Sequence, residues 1–88
     1  MTSVYFIQCR DKNGPIKIGL AMDVEKRLAQ LQVGNPYKLK VIASFYVDSK
    51  IKAQQIEKSL HKKFMKHSIR GEWFTSNIKL CAVAELSV

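Results

Sequence analysis

Two charged residues stand where helical packing should exclude charge. Across residues 50–66, Ala53, Ile56, Leu60 and Phe64 recur at the spacing of one helix face, and Glu57 projects only roughly 55° from the centre of that stripe at ~100° per residue. A carboxylate at the rim of a core is costly unless a cation, a metal ion or an aqueous cleft meets it. His61, one turn on at the border of the stripe, can share that environment as a base or as a hydrogen-bonded boundary histidine. On an earlier helical segment Arg27 lies between Val24 and Leu31, at the margin of the apolar face. Two readings stay open. Glu57 and Arg27 can pair as a partly buried salt bridge, or they can act on a phosphate or a metal ion.

The elements that must position these groups follow from periodicity. Residues 4–8 are β-prone and almost wholly apolar, as a strand covered on both faces requires, and Asp11-Lys12-Asn13-Gly14-Pro15 is dense turn chemistry. The next arm, Ile16-Lys17-Ile18-Gly19-Leu20, alternates, so Lys17 points away from the apolar face of Ile16, Ile18 and Leu20. Asp23 offers an N-cap to a helix bearing Val24, Leu28 and Leu31, and Gly34-Asn35-Pro36 stops it. Residues 40–47 read as another strand. Asp48 or Ser49 can cap the longer helix, which should run to about Lys66. The chain turns between His67 and Gly71, Glu72-Trp73-Phe74-Thr75 is short and β-prone, and Ser76 is a candidate cap for a last helix with Ile78, Leu80, Cys81, Val83 and Leu86. The expected fold is therefore α/β (α+β): one domain over residues 1–88, with a small mixed, largely antiparallel sheet of about three strands flanked by helices, in β-β-α-β-α order with a short C-terminal element.

Composition narrows the partners. Fifteen Lys and Arg against seven Asp and Glu leave a formal charge of +8 on 88 residues, an excess that attracts polyanions by counterion release, so nucleic acid is the leading partner. Lys58, Lys62, Lys63 and Lys66 face away from the apolar stripe and are candidate phosphate contacts, or a plain solvated face. No run approaches membrane-spanning length, and no membrane partner is expected. Cys9 and Cys81 belong to no C-x-x-C pair, and with His61 and His67 they lack finger spacing, so neither a disulfide framework nor a zinc site is signalled. The expected setting is reducing and cytoplasmic, within the host cell for a viral chain.

Ser3-Val4-Tyr5, then Ile16-Lys17-Ile18-Gly19, Arg27 and Glu57 resemble the GIY-YIG endonuclease superfamily in order and approximate spacing. The closer likeness is to its short branch found in phages, other viruses and fungi. That branch is matched here by Gly34-Asn35-Pro36, by Glu57-Lys58-Ser59-Leu60-His61-Lys62-Lys63-Phe64, and by Gly71-Glu72-Trp73-Phe74. The resemblance implies single-metal hydrolysis of nucleic acid, DNA in preference to RNA, with Mg²⁺ or Mn²⁺ on Glu57. By position it makes Tyr5 the group that takes a proton from the attacking water, and Arg27 the contact to the scissile phosphate. Lys17 stands where the second motif usually has tyrosine, and Ser3 where the first has glycine; Lys17 could supply the charge that favours a phenolate. His61 joins the candidate catalytic set, and Asn77 is the sole counterpart in the right region for the superfamily's late asparagine. Trp73 and Phe74 either close the core or, for Trp73, stack on a base. One such site per chain would nick, so double-strand cleavage calls for a homodimer or two binding events, and specificity can come from a recruiting protein. The alternative is a catalytically idle nucleic-acid-binding or adaptor domain with the same fold.

If lysines meeting phosphates carry the affinity, binding to nucleic acid weakens steeply from low to moderate salt. A titration over that range checks it; an affinity indifferent to salt would indicate a protein or small-molecule partner instead.

Overall fold

The computed structural model describes residues 2–10 and 14–78, the side chain of Asn77 excepted. Strand β1 (Thr2–Cys9) is the centre of the molecule, and every one of its residues is buried. It pairs antiparallel with β2 (Ile16–Ala21) on one side and with β3 (Leu39–Val47) on the other. Alternation then sorts its side chains into two layers. Val4 and Phe6 join Ile16, Ile18 and Phe74 beneath helix α2 (Lys50–Lys63), which contributes Ala53 and Leu60, with Phe64 just beyond its end. Tyr5, Ile7 and Cys9 join Leu39 on the opposite face, beneath Val24, Leu28 and Leu31 of helix α1 (Val24–Gln32). Each fully buried Ile or Phe contributes ~1.5–3 kcal/mol, which explains the apolar run Val4–Ile7 in the middle of β1.

Local chemistry sets the helix ends. The Asp23 carboxylate accepts from the Lys26 amide at 3.0 Å, and the Ser49 hydroxyl from the Lys52 amide at 3.3 Å, so of the two expected caps for α2 it is Ser49 that serves. Helix α2 stops at Lys63, earlier than expected, because Met65–His67 tightens into a 3₁₀ turn. Gln32 closes the connection from α1 to β3: its Oε1 accepts from the Leu39 amide at 2.9 Å and its Nε2 donates to the Tyr37 carbonyl at 3.0 Å.

The sheet has five strands rather than about three, in the order β3-β1-β2-β5-β4, and all its pairings are antiparallel. The added pair is a small hairpin, β4 (Ser68–Arg70) and β5 (Trp73–Phe74), turned at Gly71 with φ 57°. All three β4 residues are exposed, so no apolar alternation announced the strand. Ser76–Ile78 forms a 3₁₀ turn with Ile78 in the core; the rest of the expected last helix, including Leu80, Cys81, Val83 and Leu86, lies outside the described residues, as do Asp11, Lys12 and Asn13 of the first turn.

Gly19 is where packing permits nothing larger. Paired with Tyr5 across the sheet, it would place a Cβ 2.6 Å from Tyr5 Cζ, against a ring only 1% exposed. Gly19→Ala should therefore destabilise the fold by about 1–3 kcal/mol. Thermal melts check it: the loss should shrink in a Tyr5→Leu background, and an equal loss there would show that Tyr5 is not the obstacle.

Candidate functional site

The outer edge of β2 is only half covered. Strand β5 meets it at Ile16 and Lys17, leaving the stretch from Ile18 onward to other partners. In a strand, a residue's N–H and C=O point to the same side. Ile18 donates its N–H to the Glu72 carbonyl at 3.1 Å, and its own carbonyl lies 3.1 Å from His61 Nε2. An oxygen acceptor implies the proton on that nitrogen. The His61 ring also meets Phe74 edge-on, with centroids 5.2 Å apart at 75°.

Around this point two carboxylates gather. Ligand atoms of Glu57, His61 and Glu72 all lie within 4.8 Å of one another, all three residues being half-buried. Glu57 reaches the edge from α2, one turn before His61, and Glu72 from the hairpin turn before β5. Lys17 completes the cluster: its Nζ is 2.7 Å from Glu72 Oε2 and 5.7 Å from the Trp73 ring centre, with the side chain 13% exposed. Burial first, and the Glu72 carboxylate second, hold the Glu57 carboxyl above its ordinary value, while His61 and Lys17 pull in the opposite direction.

Further along the same strand the character changes from acidic to basic. Leu20 and Ala21 floor an open cleft of about 510 Å³ whose walls include Lys26, Arg27 and Gln30 of α1 and Lys50 of α2. Lys50 precedes Glu57 by two helical turns on the same face of α2. From Lys17 to Ala21 the strand spans ~13 Å at ~3.3 Å per residue, so the carboxylate–imidazole cluster and the cationic cleft share one short edge.

The expected site residues are distributed unevenly over this edge. Glu57, His61 and Lys17 come together. Arg27 belongs to the cleft and is exposed rather than held at a core boundary, because α1 buries no residue fully and its narrow stripe of Val24, Leu28 and Leu31 meets the sheet only partly. Among the described residues no ion pair joins Arg27 to Glu57; the ion pair at this site is Lys17 with Glu72. Tyr5 rises on the α1 face, its ring end over Gly19, whereas Glu57 comes from the helix on the other face. Lys58, Lys62, Lys63 and Lys66 are all exposed on or just after α2, and Lys63 Nζ lies 5.8 Å from the Phe64 ring centre. Cys9 is buried on the α1 face, whereas His61 reaches the edge of β2 from α2. Asn77's side chain and Cys81 lie outside the described residues. Three residues emerge that sequence reasoning did not single out as functional: Glu72, Lys26 and Lys50. For Lys50 a signal existed, since it shares Glu57's helical face.

A small antiparallel α/β domain with a Glu-His-Glu cluster able to hold a divalent ion is thus defined. The chain belongs to the T5orf172 domain family, whose model matches residues 2–87. No curated protein and no solved structure matches it. No helix among the described residues is long and apolar enough to cross a membrane.

The raised Glu57 carboxyl makes a prediction about stability. Because the folded chain holds this proton more tightly than the unfolded one, the resulting stability is complete below the ordinary value of 4.5 and is lost as pH rises through the raised value. Glu57→Gln, uncharged throughout, escapes that loss. In chelator, its melting temperature relative to wild type should rise from about pH 4 to about pH 7. A relative fall would mean that the Glu57 charge is favourably paired.

Proposed function

We propose that the domain hydrolyses phosphodiester bonds in nucleic acid, DNA in preference to RNA, with a divalent cation held at Glu57. The observation that carries this reading is the sharing of one strand edge by a Glu-His-Glu cluster and a Lys/Arg-lined cleft. Membership of the T5orf172 family, which is linked to GIY-YIG-related nuclease proteins, agrees with it.

The donor chemistry fits a divalent cation, since two carboxylates and an imidazole nitrogen converge with one ammonium to offset part of their charge. A cation held there would neutralise phosphate oxygens and ease departure of the leaving alkoxide. Arg27, with Lys26 and Lys50 beside it, binds phosphate and stabilises charge that grows on it in the transition state. Lys17 keeps Glu72 turned toward the edge. Tyr5, the proton acceptor by resemblance, is buried on the α1 face while Glu57 comes from the helix on the other, so no proton transfer is assigned to it. The lysines at 58, 62, 63 and 66 give the outer face of α2 a positive field that draws the polyanion in.

A second reading, the idle binding domain, draws on one observation: Tyr5 is 1% exposed, which limits its access to an attacking water. Cleavage assays separate the two. On supercoiled plasmid, single-stranded and branched substrates, wild type should nick with Mg²⁺ or Mn²⁺ and not with chelator. Glu57→Gln should lose at least about a hundredfold in rate while nucleic-acid affinity is nearly unchanged. A folded, binding wild type that cuts nothing with any metal would establish the idle domain.

A further inference from the structure

The His61 ring is held at one end, where Nε2 lies 3.1 Å from the Ile18 carbonyl. With Nε2–H given to the Ile18 carbonyl, the neutral ring carries its lone pair on Nδ1. A histidine whose second nitrogen donates to a backbone carbonyl is the arrangement that orients imidazoles at metal ions and strengthens them as donors. Edge-on contact with Phe74 fixes the ring plane. Glu72 is constrained comparably from outside: Lys17 Nζ, 2.7 Å from Oε2, orients the carboxylate, which keeps further lone pairs for an ion. The Glu57 carboxylate is the third donor of the group.

From this geometry we infer that Glu57, His61 and Glu72 form one three-donor site, a nitrogen and two oxygens, that selects Mn²⁺ and similar transition ions over Mg²⁺. It rests on the metal-dependent reading above and goes beyond it in naming the donors and the class of ion. The selection follows from donor type. Mg²⁺ takes oxygen ligands in strict octahedral geometry, keeps several waters and is usually content with one or two carboxylates. Imidazole nitrogen adds little for that ion and progressively more for later first-row ions. Donors bound to one ion at ~2.1 Å sit ~3.0 Å apart when adjacent and at most ~4.2 Å apart when opposite, so groups now within 4.8 Å of one another close by roughly 0.6–1.8 Å, which half-exposed glutamate side chains can do. Three protein donors leave coordination positions for water and a phosphate oxygen.

The test is metal binding by titration calorimetry on the whole chain without nucleic acid, using Mn²⁺ and Mg²⁺ separately. Wild type should bind Mn²⁺ at least about tenfold more tightly than Mg²⁺. His61→Gln keeps an N–H for Ile18 and replaces the ligand nitrogen by oxygen. It should cut Mn²⁺ affinity by roughly ten- to a hundredfold and leave Mg²⁺ within about twofold. Electron-spin-echo spectra of the Mn²⁺ complex should show imidazole nitrogen coupling in wild type and not in His61→Gln, a readout that does not depend on matched stability. Glu72→Gln should weaken both ions. Equal affinities in wild type, no measurable binding, or a Mn²⁺ complex without nitrogen coupling overturns the inference. The two readings fail separately: nonselective binding lost in Glu57→Gln alone, with cleavage intact, removes this one and keeps the nuclease, whereas selective nitrogen-coordinated binding without cleavage of any substrate does the reverse.

Discussion

A single buried residue, Ile18, imposes the requirement around which the site is arranged. Buried backbone groups need partners, and both of Ile18's point to the outer edge of β2 where no full strand pairs with it. The Glu72 carbonyl answers one and the His61 ring the other. Meeting that backbone demand brings a hairpin residue and a helix residue to the same spot, so their side chains arrive together. Glu57, one turn from His61, comes with them. An ordinary full-length edge strand at this position would have satisfied Ile18 without assembling any chemistry.

The charge distribution has a similar economy. A chain with a formal charge of +8 nevertheless draws two of its seven acidic residues into one cluster. Lys17, mostly shielded from solvent, compensates part of that density, and other cations lie on α1, at the start of α2 and on its outer face. Cationic walls and carboxylates therefore lie a short distance apart, so an anion entering the cleft would be repelled at the acidic end unless an added cation offset that charge.

How far the sequence was legible depended on whether a feature is periodic. The caps at Asp23 and Ser49, the alternation that turns Lys17 from the core and the stripe interrupted by Glu57 are all local patterns, and each appears in the fold. The strand count was not legible, because Ser68–Arg70 pairs through its backbone while exposing every side chain. Arg27 was misjudged for a related reason: a helix margin is a core boundary only if the helix is deeply seated, and α1 is not. Glu72 was legible only as part of a short β-prone segment, because its approach to Lys17, Glu57 and His61 depends on a hairpin that no short-range signal announces.

That hairpin has a further meaning. Strand β5 is two residues long and touches β2 at two register positions, so Glu72 rides on the most lightly attached part of the sheet, whereas Glu57 and His61 ride on a helix anchored by Ala53, Leu60 and Phe64. An ion shared among them would act as a removable cross-link between a firm element and a loose one. Its free energy of binding would then be spent partly on keeping the hairpin shut, and opening of the hairpin and release of the ion become one linked equilibrium.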